Sequence, residues 1–311
     1  MSAAPLGGTG ESTAAPLRVG TRGSLLALAQ TRDIAARFAG VVEIVEISTK
    51  GDVDRSPLSQ LGGTGVFVSA LRDALLGGEI DVAVHSMKDL PTLPQEGIRL
   101  AAVPVRNDPR DALVARDGLQ LATLPKGAKV GTGSPRRKAQ LLHARPDLDV
   151  VDIRGNITTR MNRALADDAD LDAVVLAVAG LNRGGFSDRV SEALSTADFL
   201  PAPAQGALGI ETRDGDERSL AAVAGVDDPV TAACAAAERI VLRGLEAGCA
   251  APVGAFASAD GDTVQIDAAA YALDGSRSIR ASRKGAVADA ADLAADLVAE
   301  LLAAGAKELV G

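Results

Sequence analysis

Short runs of aliphatic and β-branched residues alternate with longer stretches whose apolar positions recur every three or four residues, beginning at Leu17. Leu17-Arg18-Val19-Gly20 reads as a strand, and Ser24 caps a helix through about Phe38, with Leu25, Leu28, Ala29 and Arg32 at helical spacing. Val41–Ile47 is a β-branched strand, Val66–Leu76 a helix, and Ile80–Val84 a strand. The order β-α-β-α-β predicts a parallel sheet covered on both faces. A second such unit follows: strand Ala128–Val130, helix from Ser134, strand Asp149–Ile153, helix from Asn156, strand Ala173–Val178. Asn107-Asp108-Pro109-Arg110-Asp111 lies between the units and reads as a hinge. From Asp228-Pro229 a long Ala-rich helix leads to Cys249. Val264–Leu273 and Ser278–Ser282 then read as antiparallel strands, followed by an Ala/Leu helix to about Ala304: a third, α+β domain. Residues 1–16, made of Ala, Gly, Ser, Thr and Pro with no basic or apolar region, read as a disordered tail and not as a signal peptide.

Composition narrows the function classes. With 47% apolar residues in 311, a sizeable core is available, and aromatics at 2% make that core aliphatic. The same scarcity leaves few platforms on which bases could stack, and a net charge of −9 disfavours a phosphate backbone, so no nucleic-acid partner is expected. No apolar run approaches the ~18 residues needed to span a bilayer. Two cysteines without a framework suit a reducing compartment. A cytoplasmic monomer without a membrane partner is the expectation.

The candidate chemistry lies in the turns after strands, where open parallel sheets bind their ligands. In Gly131-Thr132-Gly133-Ser134-Pro135-Arg136-Arg137-Lys138, Ser134 at the N-cap and Pro135 behind it start a helix directly after a strand. Free backbone N–H groups there favour an anion, and Arg136 and Arg137 add planar forks for carboxylates or phosphates. Arginines at a helix start oppose its dipole unless an anion compensates. Arg154, with Arg160 one turn on, precedes another helix start. Arg22 precedes the first helix, and Arg183 follows another strand. Singly, each suits a surface salt bridge; together, at corresponding ends of different strands, they suggest a substrate with several carboxylates. One acidic group, Asp89 in His85-Ser86-Met87-Lys88-Asp89-Leu90-Pro91, stands among them. Its natural role is to stabilise a developing positive charge and shuttle a proton, the bland alternative being a turn pair with Lys88. With only His85 and His143, neither a metal cluster nor a histidine triad can be assembled, and Asp52 and Asp54 read as a solvated loop. Cys249, flanked by Gly248 and small residues, reads as an accessible loop thiol able to hold a group covalently, the bland alternative being a small buried thiol; Cys234, on an Ala-rich helix, reads as structural.

From about Leu17 onward the chain resembles the porphobilinogen deaminases. The resemblance is carried by Thr21-Arg22-Gly23-Ser24, Val84–Pro91, Asp108–Asp111, Gly131–Arg137, Arg154-Gly155-Asn156, Leu176–Leu181, Pro203–Ala207 and Gly248-Cys249. It implies an enzyme that joins four porphobilinogen units head to tail with loss of ammonia, giving hydroxymethylbilane. It also implies a dipyrromethane cofactor on Cys249, a catalytic Asp89, and cofactor contacts from Ser86, Lys88, Asp89, Ser134, Arg136, Arg137 and Arg160. Arg22, Ser24, Arg154, Arg160, Arg183 and Gln205 are the implied substrate-binding positions. The implied fold has two α/β domains like type II periplasmic binding proteins, residues 17–106 with 207–226 and residues 107–206, and a cofactor-carrying third domain, 227–311. Many relatives have lysines where this chain has Gln60 and Thr64, and the glycine-rich segment Gly51–Gly65 reads as a mobile covering loop. A competing reading is a non-catalytic two-lobed receptor for a small polycarboxylate anion, since function does not follow from fold.

Overall fold

The computed structural model describes residues 15–48, 68–248 and 251–310. The expected tail up to residue 14, the segment Gly51–Gly65 and Cys249 lie outside the described residues.

The first unit is built from β1 (Leu17–Arg22), α1 (Leu25–Ala35), β2 (Val42–Ile47), α2 (Ser69–Leu76), β3 (Val82–Ser86) and β4 (Ile98–Ala102). The second contains β5 (Asp111–Ala115), β6 (Lys129–Gly131), α3 (Pro135–Ala144), β7 (Asp149–Val151), α4 (Ile157–Leu165), β8 (Ala173–Ala177), α5 (Val178–Arg183) and β9 (Glu192–Ala193). The chain then returns to the first sheet as β10 (Leu208–Arg213), followed by α6 (Glu217–Val223). The helix starts are where the caps put them. Ser24, Ser134, Asn156 and Asp228 each accept a bond from the backbone N–H three residues on, and Pro135 and Pro229 occupy the position just inside.

The two sheets share one strand order, β2-β1-β3-β10-β4 and β7-β6-β8-β5-β9, as expected of two lobes resembling type II periplasmic binding proteins. They are not wholly parallel as the β-α-β-α-β order predicts. β10 runs antiparallel to β3 and β4, and β5 antiparallel to β8 and β9. Each antiparallel strand is the one fed by a crossing from the other unit. It enters at the carboxyl ends of its parallel neighbours, with Leu208 opposite Ser86 and Asp111 opposite Ala177, and so has to run back along them. Asp111 therefore opens a strand and is not part of a hinge.

The crossings touch. Asn107 N–H donates to the Gly206 carbonyl at 3.2 Å, and a side chain on Gly206, at φ +89°, would meet the Asn107 carbonyl oxygen at 2.6 Å. Only glycine fits both that conformation and that approach.

The third unit packs α7 (Pro229–Gly244) and α8 (Ala290–Ala303) on the antiparallel sheet β11 (Val253–Asp260), β12 (Thr263–Tyr271), β13 (Ser278–Ala286). β11 was not anticipated, because Val253-Gly254-Ala255 lacks the β-branched density of a strand, and β13 extends four residues beyond Ser282. The Ala-rich helix stops at Gly244 and does not reach Cys249. Each unit has its own aliphatic core, such as Val19, Val82, Val84 and Ile210 in the first and Leu113, Val130, Leu141 and Val175 in the second. Among the described residues no single helix is long and apolar enough to cross a membrane.

Candidate functional site

The carboxyl ends of β1, β3, β6 and β8 converge, and most of the sequence-predicted residues lie there. β1 ends at Arg22, with Ser24 capping α1. β3 ends at Ser86, from which a 3-10 turn, Met87–Asp89, carries Lys88 and Asp89. β6 leads through Ser134 to Arg136 and Arg137, and β8 leads into α5 and Arg183.

Two cavities open between these ends. The first, about 260 Å³, is walled by Arg22, Ser24, Ser86, Lys88, Asp89, Arg183 and Gln205, together with apolar atoms of α1 and α5. The second, about 150 Å³, is walled by Lys88, Asp89, Ser134, Arg136, Arg137 and Gln205, and on its far side by Gly248, Ala251 and Val253. Lys88, Asp89 and Gln205 belong to both walls. Among the described residues Asp89 is the single carboxylate in either wall, and it faces both cavities.

The cations are poorly solvated. Burial pushes the Lys88 ammonium below its usual pKa, Arg137 and Arg136 adding to the shift while Asp89 and Asp111 oppose it. Burial likewise lowers Arg183, and lowers Arg160 with help from Arg137 and Arg154. A desolvated cation favours an anionic ligand. Arg183 donates to the Gly206 carbonyl at 3.4 Å and Arg160 to that of Gly155 at 2.8 Å. Arg160 and Arg154 are in neither wall, and Arg154 is exposed, with a 3.6 Å pair to Asp152.

Arg136 and Arg137 already have a protein anion, which sequence reasoning missed. Both are buried against Asp111: Arg136 Nη2 lies 2.8 Å from Oδ2, and Arg137 donates from Nε and Nη2 to Oδ1 at 2.9 and 2.7 Å. Gln205 Nε2 donates to the same Oδ1 at 2.9 Å and to the Pro109 carbonyl at 2.8 Å, while its Oε1 accepts from Lys88 at 3.4 Å. Burial alone would raise the Asp111 carboxyl. The two arginine charges, with bonds from Arg137 and Gln205, outweigh it and hold the group far below the usual carboxylate range. The compensating anion at this helix start is thus partly internal, so substituting Arg136 or Arg137 will cost stability as well as ligand contacts. Asp111→Ala, which leaves two buried guanidiniums without their anion, is expected to destabilise by about 3–5 kcal/mol. A melting temperature within a degree or so of the parent would refute that. With a depressed pKa, the carboxylate's contribution is complete above the usual carboxylate range and is lost only in strong acid.

Gln30 is a second residue that sequence reasoning missed, buried on α1 and facing the first cavity. Its only sequence signal is a polar side chain on the inward face of a helix. No group of three or more His, Cys, Asp or Glu able to hold a metal occurs among the described residues.

A family model described as porphobilinogen deaminase, dipyromethane cofactor binding domain, matches residues 17–221, and the C-terminal domain of the same family matches residues 232–303. The chain belongs to the porphobilinogen deaminase family. It is 52% identical to porphobilinogen deaminase from Leifsonia xyli subsp. xyli, over 97% of this chain and 96% of the relative. Identity to porphobilinogen deaminase 1 of Streptomyces coelicolor is 51%, over 95% and 97%, and to the Thermobifida fusca protein 51%, over 95% and 96%. The residues present suit the family's dipyrromethane. Arg136 and Arg137 carry one net positive charge beyond Asp111, Arg136 Nε is buried without a hydrogen-bond partner among the described residues, and the cavity they wall is bounded by both neighbours of the Cys249 segment, Gly248 and Ala251.

Proposed function

We propose that Asp89 is the acid–base and charge-stabilising group of this porphobilinogen deaminase, and that Cys249 is its point of cofactor attachment. The protein is a transferase of tetrapyrrole biosynthesis, condensing four porphobilinogen units head to tail with loss of ammonia to give hydroxymethylbilane. The observation that carries the residue assignment is the position of Asp89, one carboxylate shared by two adjoining cation-lined cavities.

In this reading the first cavity receives porphobilinogen. Arg22, Ser24 and Arg183 hold its acetate and propionate, with Arg154 and Arg160 at the outer approach, and Gln205 orients Lys88 beside it. The second cavity holds the dipyrromethane through Ser134, Arg136, Arg137 and Lys88, with Ser86 contributing from the wall of the adjoining first cavity. When bound, the cofactor supplies a free pyrrole α-position from which the chain is extended. Asp89 gives a proton to the departing ammonia, faces the positive charge that develops, and accepts the α-proton afterwards; one group suffices because it reaches both sides.

The division into residues 17–106 with 207–226, 107–206 and 227–311 goes with this assignment, the first two domains bounding the substrate and the third bringing the cofactor. The protein works as a cytoplasmic monomer without nucleic acid or membrane. Intact mass of the purified protein is the test: the chain mass plus a covalent two-pyrrole adduct is expected. The bare chain mass alone, which the receptor reading requires, would remove the attachment.

A further inference from the structure

The turn that carries Asp89 is three residues long, Met87–Asp89. Its own closing bond runs from Leu90 N–H to the Met87 carbonyl at 3.2 Å, and Met87 N–H donates to Ala207 at 3.0 Å. Lys88 donates to Gln205 at 3.4 Å, and further polar anchors come from α7. Arg239, on α7, donates from Nη1 to the carbonyl oxygens of Met87 at 3.2 Å and Leu90 at 2.8 Å, and from Nη2 to that of Pro91 at 2.5 Å. These oxygens bracket Lys88 and Asp89.

The helix that supplies Arg239 is itself tied to the rest of the site. The neighbouring Glu238, fully buried, accepts from Arg106 Nη1 and Nη2 at 2.5 and 3.0 Å, and from the backbone N–H groups of Ala204 at 2.5 Å and Ala257 at 2.7 Å. Those bonds attach α7 to both interlobe crossings and to β11. Beyond its C-terminus the chain reaches Gly248, in the wall of the second cavity. A single helix therefore links the Asp89 turn to the segment that borders the cofactor cavity.

We propose that Arg239 is a positioning residue for the reaction: its guanidinium holds the 87–91 turn so that the Asp89 carboxylate stays aligned between the two cavities. The proposal rests on the reading of Asp89 as the catalytic carboxylate. A planar fork can serve three carbonyl oxygens spread along a turn, whereas an ammonium, a compact point charge, cannot reproduce that geometry. Release lets the carboxylate drift by a fraction of its own length, and misplacement of a reacting group by about 1 Å costs on the order of 10²-fold.

The test uses purified holoenzyme. Arg239→Ala is expected to lower kcat on the order of 10²-fold and Arg239→Lys on the order of tenfold. KM should stay within about twofold of the parent, because the cations that bind substrate are untouched. The two-pyrrole mass adduct should remain. In an Asp89→Asn background, Arg239→Ala should add little further loss to the residual turnover, since both changes act through one group. Should the Ala variant fail to fold, Arg239→Lys carries the same comparison. Parental kcat with a lowered melting temperature would make Arg239 a structural clasp between units and overturn the proposal. An equal fold-loss in the Asp89→Asn background would overturn it too. Full turnover in Asp89→Asn alone would instead remove the reading of Asp89 on which it rests, whatever the Arg239 variants do.

Discussion

Asp89→Asn is expected to lower turnover by two orders of magnitude or more while the protein stays folded. The amide matches the carboxylate in size, so the 87–91 turn should keep its bonds to Arg239 and Ala207, which involve backbone carbonyl and N–H groups and not the Asp89 side chain. What the substitution removes is the negative charge and the exchangeable proton. General acid–base assistance contributes on the order of 10²-fold or more, and electrostatic stabilisation of a developing charge a comparable factor. The loss should be large because among the described residues no second carboxylate lines either cavity to take over. Steady-state kinetics with intact mass on the same sample separates lost chemistry from lost cofactor. Near-normal turnover would reduce Asp89 to a turn partner of Lys88.

Cys249→Ser is expected to give a folded protein with no adduct and no measurable turnover, whereas Cys234→Ser should keep both. The two thiols differ in setting. Cys234 is 5% exposed on α7, within the third unit's core. Burial, reinforced by the Glu238 charge, pushes its thiol above the ordinary value, which suppresses the reactive thiolate. Cys249 follows Gly248, one of the residues that border the second cavity. Peptide mapping decides the matter: an adduct found on Cys234, or an adduct persisting in Cys249→Ser, would overturn the assignment.

Much of the site was legible in the sequence because it is built from local signals. Ser134-Pro135 and Asp228-Pro229 mark helix starts through capping and a preset φ, and Ser24 and Asn156 do so through capping alone. A motif placed after a strand and before a helix falls at the carboxyl end of a parallel sheet wherever the sheet is formed. That logic located Arg22, Asp89, Arg136, Arg137 and Arg183 at the cleft without reference to which strands pair.

What escaped depends on partners far apart in the chain. Asp111 reads as a loop residue from its Asp-Pro-Arg-Asp surroundings. Only the return of the chain as β5, antiparallel to β8, buries it between two arginines some 25 positions later. Arg239 sits on a helix whose periodicity says only that one face is buried, and nothing near it indicates that its guanidinium caps a turn 148 to 152 residues earlier. The sequence by itself determined the capped helix starts, the ends of the strands that lead into them and the residue types that gather there, because caps, prolines and apolar spacing act within a few residues. The tertiary structure decided which strands run antiparallel, which cation meets an internal anion and which meets a cavity. Those outcomes depend on long-range pairing and on burial, which desolvates a charge only once the chain has closed around it.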